Sequence, residues 1–71
     1  MKANKFIVSD LVDNGAIPAI KQSIHAHDGI NSVRVDMQAS TITVDYDEAR
    51  YTEKNIENFI AQAGLNVNKV L

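Results

Sequence analysis

His25 and His27 are the residues of this chain that come nearest to a metal-ligand spacing, two positions apart in a stretch that reads as helix. Residues two apart on a helix point about 200° away from one another, so one ion cannot readily take both rings. His27 falls on the apolar stripe and is expected half-buried beside the sheet. His25 is expected in solvent, a weak candidate ligand that could bridge two molecules. Asp10, Asp13 and Asn14 offer hard oxygen atoms in one loop. Their spacing matches no calcium loop, and Ca²⁺ takes about six to eight oxygens. Helix capping and loop solubility account for Asp13 and Asn14 more simply. Met37 continues an inward face and Met1 is terminal, so the two thioethers do not make a soft site. Ser23 and His27 are four apart on the helix, but neither histidine has the partners of a triad. The acidic run Asp45, Asp47 and Glu48 reads as a solvated edge. No catalytic residue is assigned, and the chain is not expected to be an enzyme.

The totals agree with a surface or interface role. Seventy-one residues make one domain, here taken as 1–71. A chain of this size buries only roughly 60% of its unfolded surface, which leaves little room for an enclosed pocket. Seven basic against nine acidic residues give a net charge of −2, without the basic excess that nucleic-acid binding requires. The absence of cysteine removes disulfides, thiolate ligands and thiol nucleophiles together. With no signal-peptide pattern and no apolar run long enough to insert in a bilayer, the expected location is cytoplasmic.

The elements that must position these residues follow from periodicity. Lys5–Val8 is a short strand with Phe6 and Val8 on one face, and Asp13-Asn14-Gly15 is a turn signal. Ala16 to His27 reads as helix, with Ala16, Ala19, Ile20, Ser23, Ile24 and His27 along one stripe and Pro18 confined to the first turn. Asp28-Gly29 stops it. Ile30 to Met37 alternates with Val33, Val35 and Met37 inward, Gln38-Ala39-Ser40 turns, and Thr41 to Tyr46 returns with Ile42, Val44 and Tyr46 inward. Thr52 is the expected N-cap of a second helix whose stripe is Ile56, Phe59, Ile60 and Ala63, ending at Gly64. Tyr46, Tyr51 and Phe59 are read as core or core-edge residues. Leu65, Val67 and Val70 form a last short strand. The order βαββαβ, with right-handed crossovers, implies an α+β ferredoxin-like fold. It has one four-stranded antiparallel sheet with two helices on one face. Ile7, Arg34, Asp36, Thr41, Thr43 and Asp45 are expected on the wet face.

Three stretches carry a family resemblance. Gly29-Ile30-Asn31-Ser32-Val33-Arg34-Val35-Asp36 is similar to a Gly-Val-x-Ser-Val-x-Val-Asp pattern. Thr41-Ile42-Thr43-Val44-Asp45-Tyr46-Asp47 is similar to a Val-Thr-Val-x-Tyr-Asp strand, and Thr52 through Ile60-Ala61-Gln62-Ala63-Gly64 to a second helix with an Ala-Gly stop. In order and spacing these resemble the heavy-metal-associated domain of copper chaperones and transport ATPases, over nearly the whole chain. The resemblance implies Cu(I) or Zn(II) held by Met-x-Cys-x-x-Cys in the first loop. Here that motif falls on Leu11-Val12-Asp13-Asn14-Gly15-Ala16. Leu11 stands in for the buried methionine, Asp13 for the first cysteine and Ala16 for the second, and Leu65 takes a position near the metal.

The resemblance therefore implies a metal-handling ancestry, while the residues remove the thiolates. A lone carboxylate is a hard donor, and Cu(I) selects soft sulfur. No cofactor is expected; copper or zinc is implied by the family alone. The expected function is docking to a protein partner, a related metal-binding domain or a metal-transport ATPase. The docking loop is Leu11, Val12, Asp13, Asn14, Gly15 and Ala16 with Leu65, on a monomer or weak dimer. Partners exclude nucleic acid, since the open sheet face lacks stacking aromatics. The alternative is a regulatory ACT-like module that pairs edge to edge and binds a small molecule, for which Asp13-Asn14-Gly15-Ala16-Ile17 would be the glycine-containing loop.

Overall fold

The computed structural model describes residues 1–9, 11 and 13–71. Asp10, read above as an oxygen donor, and Val12, read as part of the docking loop, lie outside the described residues. The order is β1 (Lys2–Ser9), a 3-10 turn (Asn14–Ala16), α1 (Ile17–His25), β2 (Ile30–Asp36), β3 (Thr41–Tyr46), α2 (Glu53–Gln62) and β4 (Asn66–Val70). The strands form one antiparallel sheet in the order β2-β3-β1-β4. Phe6 and Val8, Val33, Ile42, Val44 and Tyr46 share one buried cluster with Ile20 and Ile24 of α1 and Ile56 and Ile60 of α2. Both helices therefore lie on the same face, as the βαββαβ reading requires.

Two irregularities make the apolar pattern fit. Ile30 and Val33 are three residues apart, which in a regular strand would put them on opposite faces. The β2–β3 register shifts between Ile30 and Ser32, so Ile30 faces Tyr46 while Val33 faces Val44, and both are buried. Val67 and Val70 of β4 present the same problem. Here the register against β1 shifts between Ile7 and Val8, so that Val67 meets Val8 and Val70 meets Phe6. Each shift turns a three-residue spacing into a same-face pair.

Several sequence expectations change in detail. β1 begins at Lys2 rather than Lys5, because Asn4 is an inward residue, 8% exposed, with partners on both sides. The Tyr46 hydroxyl donates to Asn4 Oδ1 at 2.6 Å, and Asn4 Nδ2 donates to Glu53 Oε2 at 3.2 Å. The first helix is shorter than Ala16 to His27: a 3-10 turn takes its start and regular helix ends at His25. Of its expected stripe only Ile20 and Ile24 are buried, while Ala19 and Ser23 are exposed, so α1 meets the core along one narrow i, i+4 row. Thr41, expected wet, is only 6% exposed, because central β3 places it between Ile7 and Asp36. Met37 follows the end of β2 and packs half-buried against the core.

The second helix begins and ends as its residues specify. Thr52 Oγ1 accepts the Asn55 N–H at 3.3 Å and Asn55 Oδ1 accepts the Thr52 N–H at 2.9 Å, a reciprocal capping box. Gly64 follows the Ala63 C-cap with φ +96°, the conformation expected at C′.

Gly29 and Gly64 both hold positive φ, but their surroundings differ. A Cβ at Gly29 would lie 2.9 Å from Arg50 Cδ and 3.0 Å from Tyr51 Cε2, whereas one at Gly64 would meet nothing within 4 Å. Gly64→Ala is expected to cost about 1–2 kcal/mol, the left-handed penalty alone, and Gly29→Ala measurably more, as urea denaturation will show. Tyr46 supplies a pH dependence. Burial, then the negative fields of Glu53 and Glu48, push its hydroxyl above the ordinary 10.0. As pH rises past 10.0 the unfolded chain releases this proton while the folded chain keeps it, so stability falls. Tyr46→Phe is expected to flatten that alkaline loss while lowering neutral-pH stability by about 1–2 kcal/mol, since Asn4 Oδ1 loses its donor.

Candidate functional site

The loop ahead of α1 is built around Asp13. Its backbone is extended, and its Oδ1 accepts the Gly15 N–H at 2.8 Å. Its carbonyl accepts the Ala16 N–H at 3.1 Å, and the Asn14 carbonyl accepts the Ile17 N–H. Asp13 is thus the N-cap of the 3-10 turn, the capping role that its residue type suggested. The turn hands the chain to α1, whose first turn contains Pro18. Asp13, Asn14 and Gly15 are exposed. Ala16 is half-buried against the core, Leu11 is 7% exposed and Leu65 is 4% exposed. Of the residues read as a docking set, Leu11 and Leu65 belong to the buried core, while Asp13, Asn14 and Gly15 are exposed.

The geometry gives a soft metal little to bind. Ala16 carries no donor, and the chain has no cysteine. The Asp13 carboxylate is already committed to a backbone N–H and is a hard oxygen ligand. His25 ends α1, nine residues of helix beyond this loop and about 13 Å further along the axis. Asp13 and His25 therefore belong to different ends of the element. Met1 is 73% exposed, and Met37 packs against the core. Among the described residues no group of three or more His, Asp or Glu side chains is placed to hold an ion. The residues present do not fit a thiolate metal site.

His27 is half-buried, as its position on the stripe suggested, but its partner is aromatic. Its ring stacks on Phe59 with centroids 3.7 Å apart and planes 8° from parallel, and Tyr51 meets Phe59 edge-on at 5.1 Å. The Tyr51 hydroxyl donates to the Asp28 carbonyl, which ties this cluster to the turn after α1. Periodicity placed Phe59 and His27 on their helical stripes but carried no signal that they would meet. Two concavities had no sequence signature either. One, of about 300 Å³, lies on the open sheet face among Lys5, Arg34, Asp36, Thr41 and Thr43. The other, of about 190 Å³, lies between α2 and β4 beside Leu65.

The family model of the heavy-metal-associated domain matches residues 5–65. The chain belongs to the heavy-metal-associated domain family. No curated protein is significantly similar to it. Solved structures with the same fold include a copper-binding domain from HMA7, a P-type ATPase, with TM-score 0.89 and 17% identity over 100% of this chain and 95% of that one. The CopZ metallochaperone is similar with TM-score 0.84 and 18% identity over 93% and 98% of the two chains. A chain of the Atx1–Cu(I)–Ccc2a complex is similar with TM-score 0.85 and 17% identity over 100% and 96%. The family match bears out the resemblance read from the hairpin and second helix. It directs the functional reading to the metal-domain family in place of the ACT-like alternative. This heavy-metal-associated domain shares the backbone fold of these structures and has no cysteine. No helix among the described residues is long and apolar enough to cross a membrane.

The two histidines should separate cleanly on substitution. His27→Ala removes the Phe59 stack and is expected to cost about 0.5–1.5 kcal/mol. His25→Ala, at an exposed helix end, is expected to stay within about 0.5 kcal/mol of the parent. Paired thermal and urea melts of both variants check this.

Proposed function

We propose that this heavy-metal-associated domain has given up thiolate metal binding and works by docking to a protein in a cytoplasmic metal-handling setting. The partner is a related metal-binding domain or a metal-transport ATPase. The observation that carries this reading is Asp13. At the expected first-cysteine position stands a carboxylate spent on the Gly15 N–H, and at the expected second stands Ala16, which has no donor. The loop is thereby kept in shape without a metal to organise it. Asp13, Asn14 and Gly15 remain exposed, and Leu11 and Leu65 are buried in the core. Similarity to a chain of the Atx1–Cu(I)–Ccc2a complex supports an assembly role, since that complex joins two proteins. The domain acts as a monomer or weak dimer and performs no catalysis. The Asp13–Gly15 surface supplies the contacts that identify the partner.

The test has two arms. Isotopically labelled protein is titrated with Cu(I) and then Zn(II) against a competing chelator, and the parent is expected to show no retained amide shifts at Asp13 to Ala16. The double variant Asp13→Cys, Ala16→Cys is expected to retain Cu(I). Shifts in the parent that survive the chelator would refute the loss of the site. In the second arm a cysteine-bearing domain of the same family is added. Shifts at Asp13, Asn14, Gly15 and Ala16 are expected, and a spectrum unchanged by every such domain and by ATPase metal domains would remove the docking reading.

A further inference from the structure

Asn14 and Gly15 form an Asn-Gly step in the exposed turn ahead of α1. This dipeptide is chemically unstable in an open chain. Glycine has no Cβ to screen its nitrogen, so that nitrogen can reach the preceding side-chain amide and close a five-membered ring. In this domain the peptide unit that would have to rotate is held at both of its polar atoms. The Gly15 N–H donates to Asp13 Oδ1 at 2.8 Å, and the Asn14 carbonyl accepts the Ile17 N–H. The first bond keeps the proton on the attacking nitrogen. The second holds Asn14 in the 3-10 turn, so that the peptide unit cannot rotate toward the ring-closing geometry without breaking it.

We propose that Asn14 is a latent deamidation site whose rate is set by the Asp13 cap. In the reaction the Gly15 nitrogen bonds to Asn14 Cγ, and the bond from Cγ to the side-chain nitrogen breaks. Ammonia leaves with the proton that Gly15 gives up. Water then opens the succinimide at either carbonyl, giving aspartate or isoaspartate at position 14. No oxidant or further co-reactant is needed. Asp13 acts as a guard and not as a general base: a carboxylate is far too weak a base to take an amide proton, and its charge opposes the amide anion that attacks. The product carries one more negative charge beside Asp13. The isoaspartate form also adds a backbone methylene, which the 3-10 turn cannot accommodate unchanged. Asp13 thus has a second role, independent of partner docking: it protects the Asn-Gly step of its own loop.

The experiment incubates the parent, Asp13→Ala and Asp13→Ser at mildly alkaline pH. Peptide mapping by mass spectrometry follows amide-to-acid conversion at residue 14, with folding checked by amide spectra. Asp13→Ala is expected to deamidate roughly threefold to thirtyfold faster, the change that loss of one N-cap makes to a local opening equilibrium. Asp13→Ser restores a capping oxygen without the charge and is expected to fall between the parent and Asp13→Ala. An Asp13→Ala rate equal to or below the parent's would overturn the proposal, as would equal acceleration in Asp13→Ala and Asp13→Ser. The parent compared in buffer and in urea gives a control free of substitution: conversion must be faster in urea, and equal rates would also refute the guard.

Discussion

The sheet has one face to bury and two helices with which to bury it, and that constraint governs every other feature of the domain. Phe6, Ile42 and Val44 of the central strands are fully enclosed, together with Ile24 of α1 and Ile56 and Ile60 of α2. At this chain length no second layer can form behind the sheet, so each inward position counts. The register shifts at Ile30/Ser32 and Ile7/Val8 are the consequence. They bring Val33 and Ile30, and Val67 and Val70, to the covered side at the expense of two regular ladder steps. Without them the edge strands would turn apolar side chains to water.

Polar groups inside this layer are few and answered. Asn4 sits on the buried face of β1, where its carbonyl takes the Tyr46 hydroxyl and its amide reaches Glu53 at the start of α2. No buried side-chain nitrogen or oxygen among the described residues lacks a partner. The network joins β1, β3 and α2 at the end of the sheet where β3 leads into the second helix. Its directionality fixes the register of β1 against β3 more tightly than apolar contact alone. The same enclosure that makes the Asn4–Tyr46 bond effective also opposes ionisation of the tyrosine.

Away from this network, the loop ahead of α1 is held by local backbone and side-chain hydrogen bonds. Asp13 caps the 3-10 turn, and Ala16 packs toward the core. A carboxylate hydrogen-bonded to a backbone N–H gives the turn an intrinsic order, of about the strength of an ordinary helix cap. With a carboxylate at Asp13, a methyl group at Ala16 and no cysteine in the chain, the loop offers a soft ion no thiolate. The stacked His27–Phe59 pair shows the same economy, with a potential ligand taken up by packing.

Much of this was legible in the residues. The element order, the inward faces of β1 and β3, Thr52 as N-cap, Gly64 as C′ and the absence of thiolate ligands all follow from local rules, because periodicity, capping and ligand chemistry are properties of residue type and short spacing. The family was legible for the same reason, in the hairpin and the second helix. What local rules could not supply were features that need a partner from elsewhere in the chain. Asn4 reads as polar until Tyr46 and Glu53, more than forty residues away, are brought to it. Ile30 with Val33, and Val67 with Val70, read as out of phase until a neighbouring strand sets the bulge. Thr41 reads as exposed until flanking strands close over it, and His27 and Phe59 read as separate until α1 and α2 share one face. The sequence by itself determined which elements form and which chemistry is missing from the loop, since both depend on residues close in the chain. Tertiary structure alone decided which polar groups are buried and that His27 meets Phe59, since those depend on distances that only the completed fold defines.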